Sequence, residues 1–516
     1  MSSTKGFSRP LLLILSAQAI AFAFFIPRIG FYHDDWANLE RCFRAGGFWD
    51  GVRLYWPAVR ERPLDGVYYP ALFALGELQP LAYQSIFYLF DALQGVLLFL
   101  FLEGLLGARA PALAAAVITV LLPNHSATHH WLGASAQTLC IDLVLMSLII
   151  DLKSLGGRRL ALAASLTLYA TSLLIYEAQA FFPVMLAAGL AVRARKTGAS
   201  LPASAAKGLR VLAPYGAVLA TALLWQRAAL PLLYHHDNPR ALAFSMSHGL
   251  YAFFVGAECL SNRLLMLCLR GVKAAIQEFG AWAWLAAAAA AGLSYALSSD
   301  DRQEQGRDDS QATALAAALA AFVAGYAPYA LSAAYVPSIV GIMSRTSAGG
   351  AIAGSIAAAA ALGAAAKAFP KARLARGAAL AATLGAFILA DWHQARLWER
   401  SWLIQQDILA KIKSKAAVLP PSAMVLLGGF SRYVDDDLSG AIIFDAHYDF
   451  SAALRLTTGR KDLGGNVLSP RLRLGRDGLV QEDGENSYYQ NLFLYDYHHD
   501  AMVALAAKPQ NSKISP

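Results

Sequence analysis

The stretch that decides the fold is LALAASLTLYATSLLIYEAQAFFPVMLAAGLAV, residues 160–192. Its 33 residues carry one charge, Glu177. As a single helix it would be about 50 Å long, too long for one crossing of a hydrocarbon core of about 30 Å. Basic residues flank it on both sides: Lys153, Arg158 and Arg159 before, Arg193, Arg195 and Lys196 after. Cytoplasmic loops of membrane proteins collect Lys and Arg. Two short spans turning at Glu177 put both basic loops inside and Glu177 outside.

The rest of the chain agrees with a membrane setting. Of 516 residues, 57% are hydrophobic and 15% charged, too few charges to cover a water-facing surface of this size. Four cysteines without paired spacing exclude a disulfide scaffold or a Cys-based metal site. Apolar runs predict 11 spans, at about 10–27, 81–106, 110–123, 134–152, 160–176, 178–192, 211–230, 280–298, 312–332, 348–366 and 375–391. The first reads as an anchor rather than a removed signal peptide. Segment 248–279 mixes Glu258, Arg263, Arg270 and Lys273 with apolar residues, and reads as an amphipathic helix lying on the outer surface. The inner segments then hold 17 Lys and Arg, whereas the short outer loops 124–133 and 333–347 hold one, Arg345. This bias predicts a multi-pass protein of the inner (plasma) membrane with its N-terminus in the cytoplasm. It also accounts for the net charge of +8 without nucleic acid.

Of the 43 Lys and Arg and 35 Asp and Glu, 28 fall in residues 392–516. The chain therefore divides into a transmembrane region, 1–391, with a long first outer loop at 28–80, and a polar extracytoplasmic domain, 392–516. In that domain the pattern predicts a helix over 393–417 ended by Pro420-Pro421, and strands at 423–427, 441–444 and 491–495. A further helix is predicted over 447–458, giving a small α/β fold.

The outer loop carries the chemistry. It runs Tyr32-His33-Asp34-Asp35-Trp36, then an amphipathic stretch over 37–76 that includes Glu61-Arg62-Pro63-Leu64. Adjacent acids at a low-dielectric boundary repel, which suits a general base or a pair that binds a cation or an acceptor hydroxyl. Acidic residues just past a first span, an amphipathic outer loop and an outer terminal domain together resemble the GT-C glycosyltransferases. These include the protein O-mannosyltransferases and the aminoarabinose transferase of lipid A. The Trp-Trp-Asp signature of the oligosaccharyltransferases is absent from this chain.

The resemblance implies a polyprenyl-phosphate sugar donor, a hydroxyl acceptor on a lipid, polysaccharide or protein, and inversion at the anomeric carbon. It makes Asp34 the leading base, with Asp35 either orienting the acceptor or taking that role itself. The departing phosphate needs cations, for which Arg62 and Arg345 stand on the outer side. Glu177 would bind sugar hydroxyls, hold an active-site Arg or cap a helix. His129, His130 and His235 would contact sugar or phosphate. The spacing of His125 and His129 also leaves room for a divalent cation, although no neighbouring Glu or Cys completes a set. The alternative is a secondary transporter or flippase of envelope glycolipids, with Glu177, Asp142 and Asp91 as coupling groups.

Overall fold

A computed structural model describes residues 8–154, 159–234, 245–300, 309–332, 335–434, 440–469, 472–474, 478–480, 486–488 and 491–505. The chain is a polytopic helical membrane protein with a small C-terminal sheet region. It forms two compact units. The first comprises residues 1–29, 55–68 and 79–396; the second comprises 30–54, 69–78 and 397–516. Residues 28–80 are thus divided between them.

Among the described residues, nine helices are long and apolar enough to cross a membrane, or ten if a bent pair counts as one span. The difference from the predicted eleven has local causes. The stretch 160–192 does break at Glu177, but its halves are short. Arg159–Ile175 has 17 residues and Pro183–Lys196 has 14, separated by a 3-10 turn at Glu177–Gln179. Segment 248–279, predicted to lie on the surface, forms Met246–Cys259 and Asn262–Phe279, which together meet the length and apolarity of a span. The bent pair is Arg109–Leu121 with Pro123–His130, which turns by 50° at Pro123.

Small residues let the helices of the first unit approach closely. A Cβ on Gly325 would lie 2.6 Å from the backbone carbon of Gly349, so Asp309–Ala330 and Gly341–Ala368 touch backbone to backbone there. Around them pack Ala317, Ala321, Ala324, Ala351, Ile352 and Ile356, all buried.

The boundary predicted at 391/392 falls inside one continuous helix, Arg373–Ala417. No helix breaker stands there, so the change from apolar to polar residues changes the surroundings and not the backbone. In the second unit β1 (Met424–Gly428) pairs in parallel with β2 (Gly464–Val467) and β6 (Leu492–Asp496), and β7 (Ala501–Ala504) closes the order β2-β1-β6-β7. Three short strands, β3 (Arg473–Leu474), β4 (Gly478–Val480) and β5 (Asn486–Tyr488), form a separate antiparallel sheet. Helix His447–Thr458 links β1 to β2 and buries Phe450 and Leu454, with the Phe450 ring against Gly465 of β2. Residues 441–444, predicted as a strand, make among the described residues a single bridge, Tyr433 to Ile442.

Candidate functional site

The acidic pair opens helix Asp34–Ala45, where the exposed N–H groups favour negative charge. The segment before it is tied down within the second unit. Gly30 lies so close to the Trp402 ring that a Cβ would overlap it. The buried Tyr32 hydroxyl donates to the Trp398 carbonyl (2.7 Å), and burial pushes its pKa well above the ordinary tyrosine value. Trp36 stacks on Trp402 with ring centroids 5.9 Å apart, and its Nε1 donates to Gln405 Oε1 (2.7 Å). These contacts fix where the two carboxylates point.

Asp34 and Asp35 meet different fates. Asp35 is fully buried, and its Oδ2 accepts the Tyr32 N–H (2.9 Å). That bond ties the start of the helix to the turn before it. Asp34 keeps 45% of its side chain exposed and pairs through Oδ1 with His33 Nδ1. His33 has φ 50°, in the left-handed region uncommon for a residue with a side chain. Its ring is held from the other side, where the Tyr448 hydroxyl lies 2.6 Å from Nε2. Asp445 stands 4.0 Å from the same nitrogen and is itself paired with Arg432. Sequence reading missed His33, Tyr448, Asp445 and Arg432. Only His33 carried a signal, as the neighbour of Asp34.

Arg62, Glu177, Arg345, His129 and His130 belong to the first unit. Arg62 forms a two-pronged pair with Glu177, Nε to Oε2 at 2.7 Å and Nη2 to Oε1 at 2.6 Å. Its guanidinium also lies over the Tyr176 ring, 4.2 Å from the centroid. Of the roles open to Glu177, this geometry matches that of holding an arginine.

Arg345 differs. It sits in the 3-10 segment Gly341–Ser347, half-buried, with its guanidinium 4.9 Å from the Trp131 ring centroid and 5.6 Å from that of Tyr335. Among the described residues no carboxylate pairs with it. The segment is braced by Ser347 Oγ donating to the Ser338 carbonyl (2.6 Å) and by Ser344 Oγ accepting the Ala127 N–H (2.9 Å). A cation without a carboxylate, held against aromatic faces, is chemically suited to a phosphate.

The histidines predicted in an outer loop are buried in the short helix Ser126–His130. His129 Nδ1 bonds Asp91 Oδ2 (2.8 Å), and its ring lies 4.5 Å from that of His125. With His130 it borders a small cavity lined by Gln18, Gln84 and Tyr88 and by the apolar Phe22, Ile26 and Ile29. Among the described residues no three His, Cys, Asp or Glu side chains converge as a metal-binding set. His235 lies outside the described residues. Compared with known protein families, with curated proteins and with solved structures, the chain gives no match.

Proposed function

We propose that this chain is a GT-C-type membrane glycosyltransferase. It moves a sugar from a polyprenyl-phosphate donor to a hydroxyl acceptor on the extracytoplasmic face, with inversion. The observation that carries this reading is the division of labour in the acidic pair. Asp35 is buried and bonded to the Tyr32 N–H, whereas Asp34 remains exposed and is oriented by His33. A carboxylate so placed can take the proton of an incoming hydroxyl as that oxygen attacks the anomeric carbon and the bond to phosphate oxygen breaks. Within the first unit, Arg345 offers a fork of N–H donors of the kind that suits a phosphate. The apolar helices supply the lipid setting that a polyprenyl donor requires.

The test uses the full-length protein in nanodiscs with a set of polyprenyl-phosphate sugars, assayed for donor turnover with and without a chelator. Asp34→Asn is expected to lower turnover about 10²–10⁴-fold. Unchanged turnover in that variant removes Asp34 from the mechanism, and no turnover of any donor by the parent protein overturns the transferase reading.

One observation favours a second reading, proton-coupled transport of an envelope glycolipid. The first unit buries Asp91, His129, Asp142 and Asp391 among apolar helices, and ionisable groups at such positions commonly mark proton or ion pathways. Proteoliposomes that move a labelled glycolipid only under a pH gradient, with no sugar transfer, would decide for it.

A further inference from the structure

The second unit holds a cleft of about 480 Å³ between helix Asp34–Ala45 and helix His447–Thr458, with Gly464 and Gly465 of β2 along its side. Its volume is in the range of small-ligand clefts, and its lining includes the charged residues Glu40, Arg41, Arg44 and Arg455. Two guanidiniums converge there on one buried carboxylate. Arg455 takes both oxygens of Glu40 (2.5 and 2.7 Å), and Arg44 Nη2 reaches Oε1 (2.5 Å). Glu40 is 7% exposed. One negative charge shared by two arginines leaves a net positive charge facing the cleft. Tyr448 also lines it and bonds His33, which pairs with Asp34. A molecule seated in the cleft therefore lies one side chain away from the His33–Asp34 pair.

We infer that this cleft binds an anionic saccharide, a sugar bearing a carboxylate or a phosphate, as the acceptor of the transfer. The inference rests on the reading of Asp34 as the base. Glu40 aligns the two guanidiniums, and the ligand's charge takes the remaining N–H donors, as arginine forks do with carboxylates and phosphates. The acceptor's sugar hydroxyl then extends past Tyr448 toward Asp34. A neutral sugar would find the same polar groups without the charge that selects among acceptors.

The experiment is calorimetric titration of the full-length protein in phosphatidylcholine nanodiscs, so that no anionic lipid competes. Three probes are used: a galacturonic acid trimer, glucose 6-phosphate and neutral maltotriose. At least one anionic probe is expected to bind about tenfold tighter than maltotriose and to weaken with added salt. Which one binds separates carboxylate from phosphate recognition. Arg44→Gln, at a partly exposed position, is expected to weaken that probe about tenfold. Asp34→Asn is expected to bind like the parent while losing turnover.

Equal affinity for charged and neutral probes, no binding of either anion, or indifference to Arg44→Gln overturns the inference. Anion binding by a protein that turns over no donor leaves the cleft standing and fells the transferase reading. Turnover on neutral acceptors without anion binding does the reverse.

Discussion

Buried acids of the two units differ in the partners they find. In the second unit three of them have a visible task. Asp35 accepts a backbone N–H, Glu40 holds two arginines, and Asp449 accepts the N–H groups of Asp445 (2.8 Å) and Ala446 (3.1 Å). In the first unit Asp142 and Asp391 are each 1% exposed, and neither oxygen of either has a hydrogen-bond partner among the described residues. Asp91 places one oxygen on His129. Burying a polar group without a partner costs free energy. Acids that hold the second unit together are thus to be separated from acids in the first unit that the fold alone does not explain. Each prediction below probes that difference.

The largest effect is expected at Asp449. Burial raises its pKa to about 7, against the pull of backbone N–H donors and Arg432. The folded chain then holds a proton that the unfolded chain has released between pH about 4 and 7. Stability of the second unit should therefore be greatest below pH about 4 from this group and fall as pH rises through 7, by at most about 4 kcal/mol. Asp462, held down to about 2 by Arg460, works in the opposite sense but at more acid pH. Denaturant unfolding followed by tryptophan fluorescence at pH 5 and pH 8 measures the slope. Asp449→Asn should flatten it; an unchanged slope in that variant assigns the titration to another group.

Next comes the ion pair of the first unit. Glu177→Ala leaves the Arg62 guanidinium, 15% exposed, without its carboxylate. Such a loss costs 3–5 kcal/mol for a fully buried pair; with Glu177 itself 37% exposed, about 2 kcal/mol is expected. The double variant Arg62→Met, Glu177→Met should recover most of it. A double variant as unstable as the single one would mean that Arg62 matters through the Tyr176 ring rather than through charge.

What could be read from the sequence follows from the range of the forces involved. Helix 447–458 and the strand beginning near 424 were legible because local apolar pattern and flanking glycines set them. The break at Glu177 was legible because a charge and a length limit coincide there. The continuous helix across 391/392 was not, since composition reports the solvent and not the backbone. Segment 441–444 is as apolar as a strand and is buried, yet among the described residues it makes an isolated bridge and no ladder. At the site, the local sequence marked Asp34 but could not divide its role from that of Asp35, because the division depends on which carboxylate turns back to Tyr32. The partnership of His33 with Tyr448 spans 415 residues, and that of Arg62 with Glu177 spans 115. Neither leaves a local trace.

The smallest effect is expected at Asp142, and it tests the comparison most directly. If its carboxyl has no partner that the fold supplies, Asp142→Leu removes a desolvation cost and adds apolar packing. Its stability should then lie within about 1 kcal/mol of the parent or above it. Thermal unfolding in nanodiscs measures this. A loss as large as that of Glu177→Ala would give Asp142 a structural partner and end the contrast between the units. A neutral outcome leaves the acid to be explained by activity. Donor turnover and pH-driven glycolipid movement in the same variant then separate the two functional readings, because a coupling acid silences movement when replaced, whereas a transferase whose base is Asp34 keeps its turnover.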